Sequence, residues 1–253
     1  MQSSPSPFAP VCHSGWTFDV INEVASTNPI AGQLAAWHAI RAGTQTAGRG
    51  RTGRRWVSDE GGLWLSAVLP CPGPRSRWKI LPLAAGYAVI CALEEFGVTG
   101  LRLRWPNDIM IGSKKLAGLL VERFTDDTAV VGLGLNIFNY PEKTDPALAA
   151  QTARLADLLL GDYSIDDVAG LILRELAQTH ARILADGFGP VADALNRAWL
   201  QQRLVTVTLN GLRLPFNGSF EGVDDQGRLK LVLGCGGVRL YEPSEVALLR
   251  EID

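Results

Sequence analysis

The chain has 253 residues, of which 47% are hydrophobic and 20% are charged, and its formal net charge is −2. This composition is typical of a folded globular protein and excludes a disordered chain. The near-neutral charge also excludes a protein whose whole surface attracts nucleic acid or an anionic membrane.

Four cysteines and three histidines are scattered along the chain, without the close spacing of zinc, redox or disulfide motifs. This pattern favours a reducing compartment, so we expect a cytoplasmic protein. No apolar run reaches the roughly 20 residues that cross a bilayer, so we expect no membrane association. Residues 1–14 are rich in Ser and Pro and lack the features of a secretory signal, which predicts a flexible tail.

The first predicted element is a helix. Ser26-Thr27-Asn28-Pro29 offers capping side chains and a proline suited to a first turn, and the helical pattern extends from Ile30 to Trp37. An apolar run over Leu63–Leu69 then predicts a buried strand.

The middle of the chain alternates strand and helix patterns. A helix is predicted over Leu81–Phe96, ended by Gly97, and a half-buried strand over Leu101–Trp105, ended by Pro106. Two further strands and two helices follow, at Lys115–Arg123, Ala129–Ile137, Asp166–Ala185 and Pro190–Leu200. Because strands and helices do not alternate strictly, the pattern predicts an α+β fold with an antiparallel or mixed sheet and helices on one face.

The chain changes character near Gln201. Val205–Leu209 and Leu212–Leu214 alternate on either side of the turn signal Asn210-Gly211, and Leu229–Leu233 and Val238–Tyr241 repeat the pattern. Several short strands in about 50 residues predict a small barrel. We therefore expect a main domain over residues 15–201 and a small β-domain over residues 202–253.

The densest chemical signal is Gly48–Trp56, Gly-Arg-Gly-Arg-Thr-Gly-Arg-Arg-Trp, hereafter the arginine loop. Arginine offers a permanent charge and a planar fork of donors for carboxylate or phosphate, and glycine lets the backbone approach a ligand closely. The loop predicts an anion-binding site, with a nucleic-acid patch or an ordinary solvated loop as alternatives. The negative net charge and the lack of interleaved aromatic residues weaken the nucleic-acid alternative.

Two further segments carry polar or glycine residues beside strands. In Trp105-Pro106-Asn107-Asp108, the last two residues fit a capped turn, or Asp108 fits a Mg²⁺ ligand. Lys114-Lys115 stands at the start of an apolar strand. These charges fit either residues that keep a sheet edge from pairing with another strand, or a lysine that projects into a cleft. Gly132–Asn136 lacks the third glycine of a dinucleotide-binding fingerprint and predicts a tightly packed strand.

The combination of these segments resembles the bacterial biotin protein ligases from about Trp16 to the end of the chain. The basic loop of that family corresponds to Gly48–Arg54, and its second signature to Trp105–Asp108 together with Lys115–Glu122. The related lipoate ligases share the fold but do not usually carry both signatures.

The resemblance implies a two-step reaction. Biotin and ATP, with Mg²⁺, form biotinyl-5′-AMP and pyrophosphate, and a lysine of a biotin carboxyl carrier protein then takes the biotinyl group. The implied fold is a catalytic domain like that of class II aminoacyl-tRNA synthetases, followed by a small SH3-like barrel. This agrees with the α+β assignment and the C-terminal strands predicted from the residues.

The resemblance also implies roles for individual residues. Lys115, Arg49 and Arg51 match the catalytic cations, and Lys115 matches the lysine that bridges carboxylate and α-phosphate. The residues that match the biotin site are Ser26, Thr27, Gln45, Arg49, Arg51, Lys115 and Gly118. Those that match the ATP site are Arg51, Arg54, Trp56, Asn107, Lys115 and Asn136. Trp56 fits an adenine-stacking platform or ordinary core packing, Trp105 fits core packing, and Asp108 is the candidate for Mg²⁺.

The chain also departs from the family's pattern. About 15 residues precede the catalytic core, too few for the helix-turn-helix domain of some members, so we expect no specific DNA binding. Ala42-Gly43-Thr44 stands where larger residues are common. The family includes monomers and homodimers, and the sequence does not decide between them. A lipoate or octanoate ligase of the same fold, and a nucleic-acid-binding module, are the alternative functions.

Overall fold

A computed structural model describes residues 15–199, 203–211, 214–234 and 236–252. The tail expected over residues 1–14 and the expected domain boundary at residues 201 and 202 lie outside the described residues. None of the described helices is long and apolar enough to cross a membrane.

The larger unit is built on a seven-stranded mixed sheet with the order β1-β2-β3-β7-β6-β5-β4. Only β1 and β2 are parallel, and the other neighbours are antiparallel. The strands are β1 (Thr17–Val24), β2 (His38–Gln45), β3 (Leu63–Pro70), β4 (Leu101–Arg104), β5 (Asp108–Ile111), β6 (Lys114–Glu122) and β7 (Thr128–Leu135). The predicted mixed sheet is confirmed.

The long helices cover one face of this sheet. They are α2 (Leu81–Glu95), α4 (Ile165–Asp186) and α5 (Gly189–Ala198), and a short helix α3 covers Pro141–Thr144. Alternate residues of β3, among them Leu63, Leu65 and Leu69, enter the large core beneath the helices. The other residues of β3, among them Ser66, face the opposite side, where the functional site lies.

The first helix, α1 (Thr27–Ala31), lies on that opposite side and is shorter than the sequence predicted. It ends at Gly32, so the expectation of a helix continuing to Trp37 is wrong. Ala31 packs with Ile40 and Val68 in a small separate cluster, and this contact can be made by a single turn of helix. Trp37 then takes a positive φ of 66° and leads directly into β2.

The C-terminal unit is a five-stranded antiparallel sheet with the order β11-β10-β9-β8-β12. Its strands are β8 (Arg203–Leu209), β9 (Phe216–Val223), β10 (Leu229–Leu233), β11 (Val238–Tyr241) and β12 (Val246–Glu251). The strand predicted at Leu212–Leu214 is not confirmed. Leu212 and Arg213 lie outside the described residues, and Leu214 is exposed and precedes β9.

Two tryptophans of the larger unit contact the C-terminal unit. The indole N–H of Trp105 donates to the carbonyl of Gly227 at 3.2 Å. The Trp199 ring lies 5.0 Å from the Phe220 ring, and its N–H donates to the carbonyl of Leu103 at 2.6 Å. Both rings are buried, which agrees with the core-packing interpretation of Trp105. The two sheets therefore meet beside β4, and β12 lies next to the functional site.

Candidate active site

A cavity of about 420 Å³ lies between the large sheet, the arginine loop and β12. Every residue that the sequence proposed for the site lines it: Ser26, Thr27, Gln45, Arg49, Arg51, Arg54, Trp56, Asn107, Asp108, Lys115, Gly118 and Asn136. These residues come from segments that are far apart in the chain. The sheet and the loop bring them together.

Glycines let side chains lie flat on the sheet beneath this cavity. A Cβ at Gly132 would overlap the amide of Asn28, and one at Gly134 would overlap the ring of Trp56. A Cβ at Gly118 would lie 3.0 Å from Lys115 Nζ and 3.1 Å from the Trp56 ring. The Gly-x-Gly-x-Asn pattern and Gly118 thus allow close packing of the site residues, as the sequence suggested for this strand.

Four side chains, Thr27, Asn28, Gln45 and Ser66, form one hydrogen-bonded group, hereafter the polar floor. Gln45 Oε1 accepts from the backbone N–H of Thr27 at 2.9 Å and from its hydroxyl at 3.2 Å. Ser66 Oγ lies 2.7 Å from Thr27 Oγ1 and 2.6 Å from Asn28 Oδ1. The single proton of Ser66 is shared between these two acceptors, so the floor keeps spare hydrogen-bonding capacity.

Asn28, Ser66 and Glu122 belong to the site region but were missed from the sequence. Asn28 Nδ2 donates to Glu122 Oε2 at 2.8 Å and to the carbonyl of Leu120 at 3.2 Å. Glu122 in turn lies 3.5 Å from a guanidinium nitrogen of Arg49. The signal for Asn28 was present in Ser-Thr-Asn-Pro, where it was interpreted only as a helix start.

Ser26 precedes α1 with its side chain making no capping hydrogen bond. Its backbone is extended, with φ −162° and ψ 141°, and the residue lines the cavity. A hydroxyl at this position therefore adds both a donor and an acceptor at the edge of the polar floor.

The arginine loop is a closed hairpin with a short 3₁₀ turn at Arg51–Gly53. The backbone N–H of Gly50 donates to the carbonyl of Arg54 at 2.7 Å, and that of Trp56 to Gly48 at 2.9 Å. Thr52 at the tip has a positive φ of 56°, a conformation that a β-branched residue rarely adopts. Among the described residues, the side chains of Arg54 and Arg55 have no hydrogen-bond or ion-pair partner.

Arg51 links the arginine loop to the C-terminal sheet. Its guanidinium donates to the carbonyls of Pro243 at 2.7 Å and Val246 at 3.2 Å, and to Asn107 Oδ1 at 3.3 Å. Burial lowers the pKa of Arg51, with the nearby Asp108 charge opposing that effect. An arginine stays protonated under such conditions, so its charge is held at the cavity wall by carbonyls of another unit.

Lys115 is fixed by its side chain and by its backbone. Its Nζ lies 2.6 Å from Asp108 Oδ1 and 4.9 Å from the centre of the Trp56 ring. Its backbone N–H donates to the carbonyl of Gln151 at 2.8 Å, and its carbonyl accepts from Ala153 at 2.9 Å. The ammonium group is thus presented to the cavity in a defined position.

Asp108 is held ionised between two cations. Arg104 donates to Oδ2 at 2.7 Å, while Lys115 contacts Oδ1. Burial alone would raise the pKa of Asp108, but the Lys115 charge and the hydrogen bond from Arg104 together hold it below its ordinary value. Arg104 was not among the residues proposed from the sequence, although the alternation over Leu101–Trp105 put it on a polar face.

These donors do not make a protein-held Mg²⁺ site. Among the residues that the structure describes, Asp108 is the only carboxylate that lines the cavity, and both its oxygens are engaged by cations. Among the described residues there is also no group of three or more His, Cys, Asp or Glu side chains that could hold a metal. Mg²⁺ commonly binds through substrate phosphates and keeps several waters, so the Mg²⁺ role suggested for Asp108 does not fit this donor set.

Another part of the cavity lining combines an aromatic ring with side-chain amides. Trp56 lies against Gly134, and its indole N–H is buried without a hydrogen-bond partner among the described residues. Asn136, which directly follows β7, donates to the carbonyl of Ala153 at 3.3 Å. Asn107 Nδ2 donates to the carbonyl of Leu119 at 2.8 Å. A flat ring beside an amide is suited to a heteroaromatic base.

Charge is distributed unevenly along the cavity. The cations that line it are Arg49, Arg51, Arg54, Arg55, Arg104 and Lys115. Against them stands the single carboxylate of Asp108, while the polar floor is neutral. The cavity therefore suits a ligand that has a neutral polar part and a strongly anionic part.

Comparison with known proteins agrees with this geometry. A biotin–[acetyl-CoA-carboxylase] ligase from Mycobacterium tuberculosis is 35% identical over 94% of this chain and 91% of its own length. The chain belongs to the biotin protein ligase family. The profile of the biotin/lipoate A/B protein ligase family matches residues 33–136. The bifunctional ligase/repressor BirA of Bacillus subtilis is 30% identical over 87% of this chain and 67% of its own length.

Solved structures of this family share the fold. The biotin protein ligase from Aquifex aeolicus, in complex with biotin and ATP, has a TM-score of 0.79 and 25% identity, covering 93% of this chain and 99% of its own. The Leishmania major enzyme with biotinyl-5-AMP has a TM-score of 0.62 and 25% identity, covering 88% and 98%. The family and the mixed α+β fold predicted from the sequence are confirmed, and the family favours the anion-binding interpretation of the arginine loop.

Proposed function

We propose that this chain activates biotin with ATP to form biotinyl-5′-AMP, and then transfers the biotinyl group to a lysine of a biotin carboxyl carrier protein. The observation that carries the proposal is the cavity, whose lining brings together the neutral polar floor, a cluster of cations and the Trp56 ring with the Asn136 amide. These three surroundings suit a ureido ring, a reacting carboxylate with phosphates, and an adenine base. The related ligases named above, and the solved complexes with biotin and ATP, support the same substrates.

In the first step, an oxygen of the biotin carboxylate attacks the α-phosphorus of ATP. A new O–P bond forms, the bond to the β-phosphate oxygen breaks, and pyrophosphate leaves with the electron pair. Two anions must meet, and their repulsion is large where water is excluded. We assign its neutralisation to Lys115, Arg49 and Arg51, which act by position and charge and need no covalent intermediate.

In the second step, the neutral amine of the carrier lysine attacks the carbonyl carbon of the mixed anhydride. The C–N bond forms, the C–O bond to the phosphate breaks, AMP leaves, and the amine loses a proton. The anhydride has to be protected from water until the carrier arrives. We assign that protection to the arginine loop, which Arg51 ties to the C-terminal sheet.

The remaining roles follow the same division. The biotin ring system would be hydrogen-bonded by Ser26, Thr27 and Gln45, and the backbone of Gly118 would contact it. The nucleotide would be held by Arg54, Asn107 and Asn136, with Trp56 against the base. Mg²⁺ would enter with the phosphates of ATP, and Asp108 would orient Lys115.

The fold-level expectations belong to the same proposal. We infer that residues 15–201 form a domain like the catalytic core of class II aminoacyl-tRNA synthetases, and residues 202–253 an SH3-like barrel. The five-stranded antiparallel sheet and its contact with the cavity through β12 support this division.

Transfer to a carrier tests the proposal directly. The purified chain is incubated with ATP, Mg²⁺, biotin and a biotin carboxyl carrier domain, and the intact mass of the carrier is measured. We expect a single biotinyl addition that requires ATP and is absent from a carrier whose acceptor lysine is replaced by arginine. A parallel reaction with lipoate tests the sister activity. Modification by lipoate and not by biotin would contradict the proposal.

A further inference from the structure

Asn139 is a buried polar residue that contacts the cavity-lining Asn136, and the mechanism above does not use it. Its Nδ2 donates to Asn136 Oδ1 at 3.0 Å, and its Oδ1 accepts from the backbone N–H of Ile137 at 3.0 Å. Asn136 is 1% exposed and Asn139 is 2% exposed. The turn that carries Asn139 is seated on Gly61, whose carbonyl accepts from the N–H of Phe138 at 2.8 Å.

These contacts fix which way the Asn136 amide points. Its nitrogen faces the carbonyl of Ala153 at 3.3 Å, and its oxygen faces the amide nitrogen of Asn139. Turning the amide over would bring two acceptors together at Ala153 and two donors together at Asn139. Asn139 therefore makes one of the two possible orientations of Asn136 far more favourable than the other.

The fixed orientation leaves defined hydrogen-bonding groups. An amide carries two N–H donors and two lone pairs, and contacts with the described residues use one of each in Asn136. One donor and one acceptor of Asn136 remain, and Asn136 lines the same cavity as the Trp56 ring, which lies against Gly134. Adenine offers the matching pair, the N6 amino donor and the N7 acceptor, whereas guanine offers two acceptors, O6 and N7.

We propose that Asn139 is a positioning residue that makes the nucleotide site selective for adenine over guanine, by fixing the Asn136 amide. The inference rests on the proposed function, because it requires the nucleotide base to lie beside Trp56. It adds a requirement that the proposed function does not contain, since an ATP-dependent ligase could select its base without Asn139.

The test uses a variant that separates positioning from folding. Asn139→Asp keeps an oxygen that accepts from the Ile137 N–H, but it has no N–H to give to Asn136. A matched control is Asn217→Asp, an exposed residue of β9 whose Oδ1 accepts from the Thr206 hydroxyl at 2.9 Å, a contact that a carboxylate also makes. Biotin-dependent pyrophosphate exchange is measured for both variants with ATP and with GTP, together with the KM for biotin.

We expect Asn139→Asp to lower the ratio of kcat/KM for ATP over that for GTP by about tenfold, the discrimination that one hydrogen bond provides. The KM for biotin should not change, and Asn217→Asp should keep the wild-type ratio. The added negative charge would weaken both nucleotides alike, so it does not change the ratio. If Asn139→Asp does not fold, Asn139→Ala gives the same comparison, because it also removes the donor.

An equal loss with ATP and GTP would overturn the inference, since it would mean that Asn139 only supports the turn. That result would leave the proposed function intact, because the wild-type chain would still exchange pyrophosphate when biotin is present. A wild-type chain without exchange on either nucleotide would overturn the proposed function and the inference together.

Discussion

The polar floor and the arginine loop face the same cavity, but they satisfy their polar groups in different ways. In the floor, Thr27 and Gln45 are hydrogen-bonded to each other, and Ser66 completes the group. In the loop, Arg54 and Arg55 have no partner among the described residues, and the tip residue Thr52 has a positive φ. The floor is formed in the absence of ligand, whereas two of the loop's four arginines have no partner until an anion binds.

This difference suggests how one cavity serves two substrates. A preformed floor binds a neutral ring without the cost of ordering side chains, which favours affinity. Arg54 and Arg55 gain their contacts only when an anion is present. Arg49 and Arg51 differ from them, because Glu122 lies 3.5 Å from Arg49 and carbonyls of the C-terminal unit already hold Arg51.

The largest expected effect comes from the cation between these two regions. Lys115→Ala should lower adenylate formation by roughly 10²–10³-fold, the usual cost of removing one preorganised group that stabilises transition-state charge. The fold should persist because Asp108 keeps its contact with Arg104. Single-turnover formation of biotinyl-5′-AMP measures the effect, with thermal unfolding as the check on folding. The neighbouring exposed Lys114→Ala is the control, and a normal rate for Lys115→Ala would remove Lys115 from the mechanism.

A smaller effect, on retention of the adenylate, is expected when the contact of Arg51 with the C-terminal unit is removed. Arg51→Gly removes three hydrogen bonds, two of them to the C-terminal sheet, so the adenylate should dissociate at least about tenfold faster. Retention of labelled adenylate during gel filtration, and biotinylation of lysines on a bystander protein, both report this. The control is Arg55→Gly, which removes an arginine side chain that has no partner among the described residues. This variant should lose the adenylate more slowly than Arg51→Gly. Equal retention by both variants would contradict the role of the Arg51 contact.

The smallest expected effect is on the free energy of unfolding, and it compares the polar floor with the arginine loop in the absence of ligand. Thr27→Val leaves the polar groups of Gln45 and Ser66 without a partner hydroxyl and should lower the free energy of unfolding by about 1–3 kcal/mol. Arg54→Ala should change it by less than about 0.5 kcal/mol, as for most surface substitutions. Urea denaturation of the ligand-free proteins measures both values. Similar losses in the two variants would mean that the loop is as well satisfied as the floor.

The parts of the fold that were predictable carry strong local patterns. The apolar runs of β3, β6 and β7 and the amphipathic helix α4 were predicted close to their observed bounds. β1, β2, β5 and β12 were not predicted, and the physical reasons are clear for β1 and β5. As an edge strand, β1 exposes residues such as Val20 on both sides and shows no apolar alternation. Only four residues long, β5 begins at Asp108 directly after a turn.

The candidate site shows the same limit. The motifs identified residues that all line one cavity, because each motif lies in a contiguous stretch of sequence. The contact of Arg51 with Pro243 and Val246 has no local signal, since the partners are backbone carbonyls almost 200 residues away. The pairing of Asn139 with Asn136 was likewise hidden, because an asparagine after a strand is commonly a turn residue.

The most direct test of this account is biotin-dependent exchange of pyrophosphate into ATP, measured on the purified chain with Mg²⁺ and with lipoate in a parallel reaction. The account predicts exchange with biotin and none with lipoate, because the polar floor presents donors and acceptors for a ureido group beside the cations. Exchange with lipoate alone, or with neither acid, would contradict it.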